Sequence, residues 1–268
     1  MEKLTNQNYY SMEVNLEYMS CSQYKDFAEC EVLALAKLKG EYVQPKSDAL
    51  LIGSYVDAYF SNELDDFIAN TPEIMDKRAK VPTVKKTILD TANEIIKVIE
   101  DDPLMMKYLG GKKQVIMVGE IAGVPFKIKI DSLLPYAIVD QKIMSSIKEL
   151  VWKFDKKEKR NKQMDFVEAY RYDIQGAIYQ EVARQNLGER LPFILAPTTK
   201  EESPDKALIE IDQEYLDKAL LEVMENAPRY NLIKLGVIAP IGCGNCPVCR
   251  SKKKVKEVVS YKELFGKE

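Results

Sequence analysis

Three short β-rich runs lie close together near the middle of this 268-residue chain, and their place among the helices restricts the fold more than any other feature. The runs cover residues 114–120, 124–131 and 137–142, and the turns between them are short, as in an antiparallel meander. A helix over 164–184 and an apolar strand over 191–197 come next. The pattern therefore predicts the order helix, three strands, helix, strand.

Helices are also predicted before this meander. Ser20 begins the sequence Ser-Cys-Ser-Gln, which has capping-box spacing and predicts a helix that ends before Gly40. Apolar spacing predicts further helices over 47–60 and 84–100. Glycine and proline contribute only 12 residues each, too few for a long flexible linker. We therefore expect residues 1–268 to form one compact domain.

The chain contains no histidine, and this absence excludes whole classes of active site. Nucleophilic systems that use a His base and zinc sites with His ligands are both ruled out. Any metal must be bound by carboxylates, carbonyl oxygens, water or thiolates. No apolar run reaches the roughly 18 residues of a membrane helix, and the N-terminal segment lacks the apolar core of a signal peptide. We expect a cytoplasmic protein with no membrane partner.

Two aspartates are predicted to face each other across the second turn of the meander. If the hairpin is centred between Pro135 and Tyr136, then Asp131 and Asp140 are opposite, and Lys142 points to the same side as Asp140. Opposed carboxylates repel, whereas a divalent cation such as Mg²⁺ between them would reverse the sign of the interaction. Alternating Lys and Asp on an exposed sheet face explains the same spacing equally well.

The helix after the meander carries a stripe of polar and aromatic side chains. Glu168, Tyr172, Gln175 and Tyr179 follow helical spacing and so share one face. Such a stripe would contact a substrate if it faced the two carboxylates, with Glu168 as an outer ligand. Taken alone, the pattern is more typical of an ordinary solvated helix face.

Three cysteines in seven residues indicate a metal centre. Cys243, Cys246 and Cys249 form a C-x-x-C-x-x-C run on a segment rich in turn residues. A fourth ligand could come only from Cys21 or Cys30, the two remaining cysteines. Reduced thiols without a metal are the alternative.

Basic segments are candidates for contact with nucleic acid, although the chain as a whole has a net charge of −3. One segment spans 156–162 and the other spans 252–254. Either could follow a phosphate backbone, but taken alone each is slightly more typical of a solvated loop or tail. The side chains singled out in the first segment are Lys156, Lys157, Lys159 and Arg160.

The order of elements, with Asp131 and an Asp-Gln-Lys triplet at 140–142, resembles the core of PD-(D/E)XK nucleases. Nearly the whole chain resembles phage-type RecE-like exodeoxyribonuclease VIII domains of the RecB-like branch of that superfamily. The resemblance rests on GSYVDAYF, GEIAGVPFKIKID, IVDQK, YDIQGAIYQE and CGNCPVCR, among other segments. It implies an α+β (α/β) fold of the restriction-endonuclease type, with a central mixed β-sheet flanked by helices in the order αβββαβ.

The resemblance also implies catalytic roles at the meander. Asp131 would be the first metal carboxylate, Asp140 the second and Lys142 the catalytic lysine, with Mg²⁺ or Mn²⁺ as the metal. The backbone carbonyl of Gln141 would be a further metal contact.

Further roles follow from neighbouring family motifs. Gln175 and Tyr179 match a Q-x-x-x-Y motif that supports the active site and DNA, and Tyr172 would contact DNA beside them. Asp57 stands where broader relatives carry a metal-binding His, and Glu120 ends the strand before the site. We therefore expect both carboxylates to be candidate metal ligands.

The cysteines match relatives that carry a [4Fe–4S] cluster built from one N-terminal and three C-terminal cysteines. Cys30 matches the N-terminal position better than Cys21, which gives the ligand set Cys30, Cys243, Cys246 and Cys249. The spacing of the last three departs from the wider gap usual in those relatives, so zinc is the alternative. In either case the N-terminal helix, about 20–40, would pack against a segment of about 240–255.

The function implied is hydrolysis of phosphodiester bonds in linear double-stranded DNA by an exonuclease, for phage recombination. A phage- or prophage-encoded protein of this kind would act in the cytoplasm of a bacterial host, with a single-strand annealing protein as a partner and a homo-oligomer as its assembly. The alternative is a non-catalytic DNA-binding or scaffold module that keeps the nuclease fold around a Cys₄ centre. A small structural zinc protein would leave the carboxylates, lysine and Q-x-x-x-Y residues unexplained.

Overall fold

The computed structural model describes residues 4–79, 81, 83–155, 160–255 and 257–264. The helices are α1 (Met12–Glu17), α2 (Cys21–Glu29), α3 (Glu31–Leu38), α4 (Asp48–Phe60), α5 (Leu64–Asn70), a 3₁₀ turn (Pro72–Ile74), α6 (Lys86–Glu100), α7 (Pro103–Leu109), α8 (Phe166–Tyr170), α9 (Tyr172–Leu187), α10 (Gln213–Lys234), α11 (Pro247–Ser251) and α12 (Tyr261–Leu264). The strands are β1 (Lys112–Ile121), β2 (Val124–Leu134), β3 (Ala137–Met144), β4 (Val151–Asp155), β5 (Arg160–Met164), β6 (Phe193–Thr199) and β7 (Ile209–Glu210).

The main sheet is mixed, and its strand order is β1-β2-β3-β6-β7. The first three strands form the predicted antiparallel meander. Strand β6 then pairs parallel to β3, with Asp140 beside Leu195, because the chain crosses over through α8 and α9 before it returns. The prediction of a central mixed sheet flanked by helices is confirmed.

The second turn of the meander has the predicted register. The paired residues are Leu134 with Ala137, Leu133 with Ile138, and Ser132 with Val139. Each pair is centred between Pro135 and Tyr136, which places Asp131 and Asp140 at the next step of the same register. The ladder ends before that step, and the Asp131 carboxylate instead accepts a hydrogen bond from the Gln141 backbone N–H at 3.0 Å.

Two apolar clusters hold the sheet between helices. On one face, α4 and α6 bury Val56 and Ile95 against Val139 of the central strand. On the other face, α9 buries Ile178 against Ile128 of β2, and α2 and α10 complete this larger cluster. Strand β3 is therefore covered on both faces, which explains its continuous apolar run around the polar triplet.

Two predicted helices are each broken into two. The helix predicted from Ser20 begins there as expected, since Ser20 caps Gln23, but extended backbone at Cys30 separates α2 from α3. The helix predicted over 164–184 is interrupted by Arg171, which has a left-handed conformation (φ 54°) between α8 and α9. Ion pairs from Arg171 to Asp173 and Glu222 stabilise this break. The spacing of apolar residues predicted an unbroken helix at both places, because it depends only on neighbouring residues and not on contacts with residues far away in the sequence.

Strands also form in the polar segment after the meander, where the sequence pattern predicts none. Residues on either side of 156–159 form the antiparallel hairpin β4–β5, which stands apart from the main sheet. Trp152 and Phe154 are largely exposed on it.

Helix α10 covers 22 residues, runs through Pro228 and buries Leu216, Val223 and Ile233. None of the helices in the described part of the chain combines the length and the apolar character needed to cross a bilayer.

Gly176 is the point where α9 approaches β6 and α10 most closely. A Cβ atom there would lie 2.7 Å from both Leu216 and Phe193, whose side chains are buried. Gly53 is also inside a helix, but its added Cβ would meet only Ile143, at 3.7 Å.

We expect Gly176→Ala to lower the free energy of unfolding by about 1–3 kcal/mol, because the added methyl group overpacks this contact. Gly53→Ala is the matched control and should be neutral or stabilise by up to about 1 kcal/mol, since alanine favours helix. Urea unfolding measures both variants. Equal effects at the two glycines would contradict the close packing of α9.

Candidate active site

A cavity of about 460 Å³ opens where β2 and β3 separate. Its walls come from the sheet, α2, α4 and α9. Six residues predicted from the sequence line it together: Asp57, Asp131, Asp140, Lys142, Gln175 and Tyr179. A second cavity of about 420 Å³ shares Asp57, Asp131 and Lys142 with the first and adds Gln141. Residues far apart in the chain therefore meet around one polar centre.

Asp140 is the most buried carboxylate of this centre, with only 2% of its surface exposed. Its Oδ1 atom accepts a hydrogen bond from Gln175 Nε2 at 2.6 Å. Its Oδ2 atom lies 2.5 Å from Lys142 Nζ, in an ion pair. Burial of a charge is costly unless it is paired, so the ammonium and the amide are what allow this carboxylate inside the sheet.

Asp131 and Lys142 have shifted pKa values for related reasons. Burial away from water is the largest cause that raises the pKa of Asp131 well above its usual range. Repulsion from Asp140 and Asp57 raises it further. Burial would lower the pKa of Lys142, but attraction to Asp140 and Asp131 outweighs it and raises that pKa. The centre thus holds crowded negative charge that a single ammonium partly neutralises.

The donor set fits a hard divalent cation. Asp131, Asp140 and the Gln141 carbonyl are oxygen ligands, and Mg²⁺ usually takes one or two carboxylates and keeps several waters. Gln141 Nε2 is buried and has no hydrogen-bond partner among the described residues, so it is a donor available to such a water or to a phosphate oxygen. Asp57 lines both cavities and is a third carboxylate close to this donor set.

The Q-x-x-x-Y residues are placed on the cavity side of α9. Gln175 binds Asp140, and the Tyr179 hydroxyl donates a hydrogen bond to the Lys129 carbonyl at 3.1 Å. Tyr172 lies one turn earlier, with its ring 5.6 Å from Lys142 Nζ, and burial raises its pKa to about 12. The helix therefore holds both the Asp140 carboxylate and the strand that carries Asp131.

Other sequence candidates are not brought to this centre. Glu120 is exposed at the far end of β1, opposite Pro125, whereas Gln114 is the β1 residue that lines the cavity. The pairing of β1 with β2 puts Glu120 at the end of β1 away from Asp131, and it is Gln114 that lies at the cavity with Asp131. Glu168 lies on the separate helix α8, and its carboxylate pairs with a lysine of β5.

The basic segment gives a mixed outcome. Lys156, Lys157 and Lys159 lie outside the described residues. Arg160 is exposed at the start of β5, away from the residues that line the two cavities.

Sequence reasoning missed the N-terminal wall of the cavity. Lys127 is buried, and its ammonium donates hydrogen bonds to the Tyr9 carbonyl and to Asn15 Oδ1, the latter at 2.7 Å. Burial lowers the pKa of Lys127 to about 8. Tyr9 and Tyr10 are thereby held beside Lys129. Period-two spacing along β2 puts Lys127 on the same face as Lys129 and Asp131, but nothing local to the strand indicates its contacts with Tyr9 and Asn15.

Four of the five cysteines converge at a second place, between α3 and α11. Cys30 Sγ lies 3.7 Å from both Cys246 Sγ and Cys249 Sγ, and these sulfurs and Cys243 Sγ all lie within 4.8 Å of one another. Cys21 instead lines the first cavity. The structure therefore groups the cysteines chosen from the sequence, and the group has the form of a metal site.

Comparisons with known proteins identify the family to which this chain belongs. The model of a family described as a PDDEXK-like domain of unknown function (DUF3799) matches residues 20–252. The chain belongs to this family. The crystal structure of a candidate exonuclease from Eubacterium rectale is 45% identical, covers 98% of each chain and superposes with a TM-score of 0.89. No match was found among curated proteins. The resemblance to PD-(D/E)XK nucleases is confirmed, and both matches support a nuclease.

Without metal, we expect Asp131→Asn to raise the free energy of unfolding, by on the order of 1 kcal/mol, because it removes one of the crowded carboxylates while Asn can still accept the Gln141 N–H. The same change should abolish the stabilisation that Mg²⁺ gives the wild-type protein. Thermal unfolding in EDTA and in Mg²⁺ measures both effects.

The pH dependence supplies a second arm of this test. An acid whose pKa is raised by folding binds more protons when folded, so stability falls as pH rises through that range. The advantage of Asp131→Asn should therefore be largest at neutral pH and shrink as the pH is lowered. The exposed Asp66→Asn control should show no such trend, and an advantage independent of pH would refute the assigned repulsion.

Proposed function

We propose that this chain is a Mg²⁺- or Mn²⁺-dependent deoxyribonuclease. The observation that carries the proposal is the ion pair of Asp140 with Lys142 inside a polar cavity that Asp131 also lines, in a chain of the PDDEXK-like family. A non-catalytic fold would have no reason to keep two carboxylates and a lysine buried together at a cost to stability.

Asp131, Asp140 and the Gln141 carbonyl would hold the cation. A divalent cation there supplies charge stabilisation at the scissile phosphate and lowers the pKa of a bound water. Lys142, which pairs with Asp140 in the structure, would orient the attacking water or stabilise the developing negative charge. Gln175 keeps the Asp140 carboxylate oriented, and Tyr179 keeps β2 in place.

The cavity wall supports a polyanionic, base-bearing substrate. Lys25 and Lys129 line it, and the Lys129 ammonium lies 5.0 Å from the ring of Tyr10, which is 68% exposed. A cation next to an exposed aromatic ring suits a phosphate followed by a base. The description of the Eubacterium rectale protein as a candidate exonuclease supports attack from a chain end, and the RecE-like resemblance supports linear double-stranded DNA as the substrate.

The RecE-like resemblance supports the wider setting of this proposal. It places the enzyme in phage recombination in the cytoplasm of a bacterial host, where the strand left by digestion is passed to a single-strand annealing protein. It also implies a homo-oligomer that encloses the duplex.

The test uses end-labelled linear duplex and closed circular DNA, each with Mg²⁺ and with EDTA. We expect Mg²⁺-dependent loss of the linear DNA alone. Lys142→Ala should reduce the rate at least about a hundredfold, because it removes the charge beside the scissile phosphate. Since the ammonium also pairs with the buried Asp140, circular dichroism must show that the variant is folded. Lys148→Ala, at an exposed lysine outside both cavities, is the matched control.

Two results would overturn parts of the proposal. Cleavage of the circular DNA at an equal rate would exclude an exonuclease. No cleavage of either DNA, with binding that is independent of Mg²⁺ and unaffected by Asp140→Asn, would favour the non-catalytic DNA-binding or scaffold module.

A further inference from the structure

The sulfur separations in the cysteine group distinguish between its two candidate metals. A single zinc ion bound at about 2.3 Å by four thiolates in a tetrahedron places the sulfurs about 3.8 Å apart. Cys30 Sγ lies 3.7 Å from both Cys246 Sγ and Cys249 Sγ, and no sulfur of the group is more than 4.8 Å from another. The observed spacing is that of ligands around one ion.

A [4Fe–4S] cluster does not fit the same group. Each cysteine of such a cluster binds a different iron at a corner of a cube, so the inorganic core keeps the four sulfurs apart from one another. Cys30 Sγ is in van der Waals contact with two other sulfurs, which leaves no space for four irons and four sulfides. A Cβ atom at Gly242 would lie 2.9 Å from Cys249 Sγ, so the loop also closes tightly around the group.

The backbone of the C-terminal segment is arranged to support thiolates. Asn245 N and Cys246 N donate to Cys243 Sγ at 3.4 and 3.2 Å, and Cys249 N donates to Cys246 Sγ at 3.3 Å. A left-handed conformation at Gly244 (φ 76°) directs these N–H groups to the sulfur. Zinc ligands must be deprotonated, and such donors stabilise the negative sulfur.

The charge of the cysteine group and its position suit a metal ion that acts as a clamp, which holds the C-terminal segment against α2 and α3. Four thiolates and one Zn²⁺ leave two negative charges, and Arg250 with the lysines at 252–254 supplies positive charge next in the chain. Beside the group, Glu31 accepts two hydrogen bonds from Arg229, at 2.8 and 2.9 Å, and one from the Ile241 N–H. These contacts dock the C-terminal segment on the corner between α2 and α3, both of which line the first cavity.

We propose that Cys30, Cys243, Cys246 and Cys249 bind one zinc ion rather than an iron–sulfur cluster, and that this ion holds the α2–α3 wall of the cavity in place. The zinc takes part in no redox chemistry and lies apart from the carboxylate centre. The proposal is independent of the nuclease assignment, because it rests on the sulfur positions alone.

The deciding experiment is metal analysis of the full chain purified without oxygen and without added metal. We expect one zinc per chain, no iron or acid-labile sulfide, and no broad visible absorbance of an iron–sulfur cluster. Growth with Co²⁺ should give the thiolate charge-transfer and d–d bands of a tetrahedral site. Iron with an equal amount of sulfide, or a chain with four reactive thiols and no metal, would overturn the proposal.

Variants test the ligand set and the clamp. Cys249→Ser should lose most of its zinc and lower the thermal midpoint, whereas Cys21→Ser should retain one zinc per chain, since Cys21 lies outside the group. If Cys249→Ser fails to fold, the wild-type metal content still decides the question. Because zinc is measured without DNA or Mg²⁺, an inactive protein that carries one zinc would refute the nuclease and leave the zinc site standing.

Discussion

Repulsion between buried carboxylates is the constraint around which this structure is built. Asp131 and Asp140 occupy facing positions at the point where β2 and β3 separate, and the ladder ends at Ser132 and Val139. The carboxylate of Asp131 accepts the Gln141 N–H that a strand neighbour would otherwise bind. A regular sheet would bring the two charges side by side, so the separation of the strands both relieves the repulsion and opens the cavity.

The surrounding framework keeps this separation from relaxing. Strand β3 is fixed by antiparallel pairing to β2 on one side and by parallel pairing to β6 on the other, and apolar clusters cover both its faces. Packed interiors yield little when a local contact is unfavourable. The repulsion between the carboxylates is therefore not relieved by movement of the sheet, and a ligand that supplies positive charge would relieve it.

Local sequence pattern predicted the strands of the meander and the facing aspartates, because a short turn with strands of period two fixes which residues oppose one another. The mixed sheet and the importance of Gln175 and Tyr179 came from the family resemblance, since helical spacing alone favoured a solvated face. Local pattern failed where partners distant in sequence decide the backbone. The break at Arg171 depends on Glu222, and Lys127 is held by Tyr9 more than a hundred residues earlier. Glu120 was chosen because it ends a strand, but the pairing of β1 with β2 places it away from the cavity and places Gln114 there instead.

The contacts that close the N-terminal wall of the cavity span almost the whole chain. The Tyr24 hydroxyl donates to the Glu222 carbonyl, Arg229 binds Glu31, and Cys30 meets Cys249, over separations of 198 to 219 residues. During synthesis, the meander and α9 can pack before α10 and the cysteine loop have left the ribosome. Domains fold as their contacts become available, and closing long loops comes late. Residues 213–249 line neither cavity, but they contact α2 and α3, so a chain truncated before residue 213 would keep its carboxylates and lose the support of that wall.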